Sequence, residues 1–183
     1  MNVELPIAEV SQEDRLRADL YNYIGLMLSA PPDQMLLEQT AALKGDETPL
    51  GEAIQGLARV AKVSRTKTVQ SEFNALFIGL GRGELLPYAS YYLTGFLNEK
   101  PLANLRDTMA TFGMARAPDN FEPEDNIASL MEMMAGLIVG RFGSVASVEG
   151  QKQFFNSHVG TWAVHYFTDL QAAIGISQMK KLP

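Results

Sequence analysis

Three carboxylates, Glu122, Glu124 and Asp125, cluster around Pro123. Paired carboxylates can divide general-acid and general-base work on one substrate. At the start of a helix they would instead complement the positive end of its dipole. A second cluster, Tyr88, Ser90, Tyr91 and Tyr92, follows Pro87. Tyrosine joins apolar area to a polar tip, which suits a groove for a peptide, and equally suits half-buried packing. Met131, Met133 and Met134 carry the same double reading, as adaptable contacts or as core.

Other groups point away from catalysis. His158 and His165 are placed on one helix, seven residues apart, so roughly 10 Å separates them along the axis at 1.5 Å per residue. Ligand bonds near 2 Å forbid one metal ion between them, and both read as structural or surface histidines. The run Gly79-Leu80-Gly81-Arg82-Gly83 lacks the spacing of a phosphate loop and follows no strand, so it reads as a turn. No Ser-His-Asp arrangement or cofactor fingerprint is present, and no metal or cofactor is expected. The enzymatic alternative is a metal- or nucleotide-dependent hydrolase using Glu122, Glu124 and Asp125.

The elements that must position these residues are helical. Breaks fall at Pro31-Pro32, Gly45-Asp46, 79–83, Pro101 and 113–123, and the period between them is 3.6. Ser11 with Asp14 caps a first helix whose face is Leu16, Leu20, Tyr23 and Met27. Further helices are expected over 33–43, 50–61 and 64–78, the last with Val69, Phe73, Leu76 and Phe77 as its stripe. Short ones follow over 88–97 and 101–112, the second closed by Gly113. Pro123 is expected as the first residue of the next helix, whose core face is Ile127, Leu130, Met131, Met134, Leu137, Ile138 and Phe142. One long helix over 148–174 turns Phe155, Val159, Trp162, Tyr166, Leu170 and Ala173 inward. The expected fold is all-α, one globular bundle of seven to eight helices spanning 1–183. Front helices (11–113) and back helices (123–176) are separated by a hinge near 113–122, which would permit a domain-swapped dimer as well as a monomer.

Composition narrows the classes. The chain has 183 residues, no cysteine, and 15 Lys and Arg against 21 Asp and Glu, for a formal charge of −6. Disulfides, thiolate nucleophiles and zinc fingers are excluded, and the acidic balance argues against a nucleic-acid partner. The N-terminus has neither a basic region nor an apolar one, so no secretion signal is expected. The most apolar stretch, 127–142, is interrupted by Glu132 and Arg141 and is too short to span a membrane. The expected location is the cytoplasm.

Three stretches together carry a resemblance. They are Glu72-Phe73-Asn74-Ala75-Leu76-Phe77-Ile78-Gly79 with Gly81 and Pro87-Tyr88-Ala89-Ser90; Glu122-Pro123-Glu124-Asp125-Asn126-Ile127-Ala128 running into Leu130 and Met134; and Phe155, His158, Val159 and Trp162. In this order the chain resembles the TorD/DmsD/NarJ family of redox-enzyme maturation chaperones, over roughly residues 65 to 170. The resemblance implies an all-helical cytoplasmic protein that performs no catalysis. It implies binding of a molybdoenzyme catalytic-subunit precursor, often through its twin-arginine signal peptide, until the molybdenum cofactor is inserted and export can proceed. The family usually has Asp-His where this chain has Asp125-Asn126. Asparagine can make a histidine's hydrogen bond but cannot become cationic.

A receptor for such a peptide needs acceptors for guanidinium groups and an apolar groove for the rest. Asp125 and Glu122 are the expected acceptors, Phe77, Tyr88 and Tyr91 the walls, and Ser90 and Asn126 polar contacts beside Pro123.

Overall fold

The computed structural model describes residues 10–79, 83–116 and 121–179. Leu80, Gly81 and Arg82 of the glycine-rich turn, and 117–120 of the expected hinge, lie outside the described residues. Among the described residues every regular element is helical, and the one β-type pairing is a single antiparallel bridge between Tyr88 and Asn126. The chain is all-α.

Two compact units are present. One combines Met1–Ser29 with Leu85–Pro183, and the other is Ala30–Glu84. The connection over 113–122 lies within the first.

In the first unit, α1 (Gln12–Ser29) opens as Ser11 predicts: its Oγ accepts the Asp14 N–H at 3.1 Å and donates to the Asp14 carboxylate at 2.9 Å. α7 (Ile127–Val139) is the central helix, with Ile127, Leu130, Met131, Met134, Leu137 and Ile138 all buried, so the two inner methionines are core. Each fully buried apolar side chain contributes about 1.5–3 kcal/mol by leaving water, so α7 is the main apolar store of this unit. The inward face of α1 differs from the expected one: Leu16 is 63% exposed, whereas Ala18 and Gly25 are buried against α7. A Cβ on Gly25 would stand 3.2 Å from the Ala128 carbonyl oxygen. Close approach of two helices selects small residues, which a search for large apolar side chains passes over.

Unit two holds α2 (Gln34–Ala41), α3 (Pro49–Val63) and α4 (Thr66–Phe73), then a π-helical turn, Asn74–Ile78. Asp33 and Thr48 cap α2 and α3. Phe73 and Leu76 are buried, and the Phe73 and Phe77 rings pack at 4.7 Å.

Back in unit one, α5 (Ala89–Thr94) is shorter than expected, and α6 (Lys100–Thr111) ends as expected at Gly113, whose φ is 69°. Two expectations fail at the back of the chain. Pro123 is not helical: α7 starts at Ile127, because Asn126 holds extended backbone and caps the helix by accepting the Ala128 N–H at 2.9 Å. The long last helix is two helices, α8 (Val148–His158) and α9 (Ala163–Met179). An unbroken helix would give the His158 carbonyl to the Trp162 backbone N–H. Here the Trp162 indole takes that carbonyl at 2.8 Å, and the backbone N–H turns to Val159 at 3.2 Å. The break rotates Phe154 into the core, 1% exposed, in place of Phe155. It also puts His158 and His165 on different helices, so the rise along one helix no longer sets their separation.

Candidate functional site

The site is assembled where the segment before α7 meets the segment before α5. The backbone is stitched by Ala89 N–H to Asp125 C=O at 3.0 Å and by Ile127 N–H to Pro87 C=O at 2.8 Å, on either side of the Tyr88–Asn126 bridge. Two loops far apart in sequence are thereby fixed edge to edge.

Asp125 is 1% exposed. Its Oδ2 accepts both the backbone N–H of Ser90 at 2.7 Å and the Ser90 hydroxyl at 2.6 Å. The carboxylate therefore caps α5 from a distant segment, since Tyr88 offers no side-chain cap. Its other oxygen, Oδ1, is buried and has no hydrogen-bond partner among the described residues. A buried acceptor left unmade costs about 1–3 kcal/mol. Asp125 thus holds unspent capacity for a donor.

The neighbouring acids are committed. Glu122 accepts from the Tyr88 hydroxyl and, at 3.1 Å, from the Asn126 side-chain amide. Burial, followed by the bond to Glu122, holds the Tyr88 phenol well above its usual pKa. Glu124 is buried and takes the Arg106 guanidinium through Nε at 3.1 Å and Nη2 at 2.8 Å, with Arg116 at 3.8 Å. Burial pushes the Glu124 carboxyl up, but the Arg106 bonds and charge outweigh it and leave its pKa lowered. The three carboxylates serve three different partners, so they do not form the paired acid–base site of the hydrolase reading.

Asp125 borders a hollow of about 310 Å³, lined also by Leu93, Leu105, Leu130, Asn104, Thr108 and His158 among others. Tyr88 and Tyr91 are not among its lining residues. Tyr88 is half-buried on Glu122, and Tyr91 packs its edge against Tyr92 at 6.0 Å. Tyr92 in turn lies on Trp162 and Tyr166, at 5.3 and 5.9 Å. Phe77 belongs to the other unit. The structure therefore brings Tyr88, Ser90, Glu122, Asp125 and Asn126 together. It gives the walls of the hollow to leucines and to α6 and α8.

His158 and Thr108 are the residues that sequence reasoning missed. His158 Nε2 lies 2.9 Å from Thr108 Oγ1, tying α8 to α6 across the hollow. Burial lowers the imidazole pKa. In the sequence only the company of Phe155, Val159 and Trp162 points to His158, and nothing points to Thr108.

Comparison with known proteins places the chain. The family model for the nitrate reductase delta subunit matches residues 43–168. Chaperone protein TorD of Aliivibrio fischeri is 27% identical over 179 residues, covering 86% of this chain and 83% of that protein. TorD of Photobacterium profundum is 27% identical over 141 residues, covering 67% and 64%. A solved structure from Archaeoglobus fulgidus, described as a redox enzyme maturation protein, aligns with a TM-score of 0.47 at 18% identity, covering 96% of this chain and 99% of that one. The chain belongs to the nitrate reductase delta subunit family, the TorD/DmsD/NarJ group of redox-enzyme maturation chaperones, and is a chaperone rather than an enzyme.

Proposed function

We propose that this chaperone acts in the cytoplasm on the precursor of a molybdoenzyme catalytic subunit. It grips the precursor's twin-arginine signal peptide, and with it the apo-enzyme, until the molybdenum cofactor is in place and export can proceed. The observation that carries the reading is the orphaned Oδ1 of Asp125 beside a hollow of mixed lining, with Leu93, Leu105 and Leu130 on its apolar side. An arginine guanidinium brings a fork of N–H donors and a charge that cannot be lost, and its bond to a carboxylate is about twice as strong as a neutral one. The leucines of the hollow fit the apolar residues of a signal peptide. Fixing Asp125 through Ser90 before the client arrives removes an ordering cost from binding. The net charge of −6 favours encounter with a basic peptide, in a salt-dependent way.

Calorimetric titration with a twin-arginine signal peptide tests this, comparing the wild type with Asp125→Asn. The amide oxygen of asparagine can keep both Ser90 bonds while its NH₂ occupies the place of Oδ1. Affinity is expected to fall at least about tenfold, or 1.4 kcal/mol. Equal affinity in the two proteins would overturn the assignment of the site.

A further inference from the structure

A second hollow, of about 290 Å³, adjoins the first. Thr108, Ser157 and His158 line both and form the wall between them. The first hollow takes Pro101, Asn104 and Leu105 from α6, and the second takes Asp107, Thr111 and the following Phe112. The two thus follow one another along α6, the second taking residues about one turn further on than the first.

Each hollow has one carboxylate. Asp125 sits in the first, deep and with an oxygen unpartnered among the described residues. Asp107 sits in the second, exposed, and enters none of the ion pairs among the described residues. The second hollow lies between the last turns of two helices, bordered by Thr111 and Phe112 at the end of α6 and by Ser157 and His158 at the end of α8. The two helices run antiparallel there, with Thr108 beside His158 and Phe112 beside Phe154. The shared wall adds hydroxyls, and its imidazole is bonded to Thr108 rather than turned loose into either space.

We propose that the two hollows form one bipartite site for two consecutive arginines, one guanidinium meeting Asp125 and the other Asp107, with the peptide backbone crossing the Thr108–Ser157 rim. This rests on the signal-peptide reading above and adds to it a register. Neighbouring side chains of an extended peptide leave the backbone in opposite directions, from Cα atoms 3.8 Å apart. Two long arginines can therefore reach to either side of the shared wall of Thr108, Ser157 and His158. A single lysine or arginine would fill only half the site. Asp107 faces solvent and adds the smaller share, as exposed pairs do.

The test is a set of double-mutant cycles by calorimetry. Three synthetic signal peptides are used: the twin-arginine sequence, and the versions with the first or the second arginine changed to glutamine. Each is titrated into the wild type, Asp107→Asn and Asp125→Asn, with thermal melts as the check on folding. Asp107→Asn is expected to weaken the twin-arginine peptide about two- to fivefold. It should leave unchanged the affinity of whichever glutamine peptide lacks its partner arginine. Asp125→Asn should couple to the other arginine. Coupling of both acids to the same arginine, or an Asp107→Asn effect identical for all three peptides, would overturn the bipartite site and leave the signal-peptide reading standing. A wild type that binds none of the three would overturn both.

Discussion

Ser90 holds Asp125 by one oxygen only. Both of its donors, the backbone N–H at 2.7 Å and the hydroxyl at 2.6 Å, converge on Oδ2, while Oδ1 is left without a partner among the described residues. The arrangement caps a short helix and keeps a buried acceptor in reserve with the same carboxylate. Ser90→Ala removes the hydroxyl bond and should destabilise the protein by about 1.5–3 kcal/mol, the usual worth of a bond to a charged group. Asp125→Asn, which keeps both bonds, should cost less. Urea unfolding of the two variants checks the order.

Asn126 serves α7 and the acid loop together. Its Oδ1 accepts the Ala128 N–H, and its amide donates to Glu122. Asn126→Ala is expected to cost about 0.5–2 kcal/mol through the lost cap, and to loosen the Tyr88–Glu122 contact with it. Chemical denaturation gives the first. Ultraviolet titration of the Tyr88 phenol reads the second: losing the Asn126 bond alone would raise its pKa, so a net downward move marks the loss of the Glu122 contact that holds it up.

Acid should act through Glu124. Its carboxyl titrates below the ordinary 4.5 when folded, so the native state binds fewer protons than the unfolded chain between those two values. The stabilisation is complete above the ordinary value and is lost as the pH falls through the lowered one. Glu124→Gln is expected to be less stable than the wild type near neutrality, and its stability should fall less steeply on acidification. Thermal melts across the carboxylate range measure both.

Tyr166 carries a cost that function has not claimed. It is fully buried among Tyr92, Trp162 and Phe167, and its hydroxyl has no partner among the described residues. Tyr166→Phe should leave the packing intact and leave stability unchanged, or raise it by up to about 1–3 kcal/mol, the cost of an unmade bond. A drop of that size would mean the hydroxyl has a role.

How far the sequence led follows from what each feature depends on. α7 was legible because its apolar spacing is local, and Ser11 and Gly113 because caps are local. The break at Trp162 was not, because a side-chain indole competes there for a main-chain carbonyl, and periodicity carries no record of that. The face of α1 was misjudged because Ala18 and Gly25 matter for what they lack. In the acid cluster the residues were visible but their assignments were not. Arg106 claims Glu124 from 18 positions away, and Ser90 claims half of Asp125 from 35. Tyr88 and Asn126 claim Glu122, which had been expected to face the client. Only the folded chain separates the committed carboxylates from the one with an oxygen to spare.

Amide chemical shifts on titration with a twin-arginine signal peptide report on the site itself, because the Ser90 N–H is bonded to Asp125. The largest saturable shifts are expected at Ala89, Ser90 and Thr108 in the wild type, and their loss in Asp125→Asn; this would show the client seated at Asp125. Saturable shifts confined to residues 30–84, with Ser90 unmoved, would contradict it.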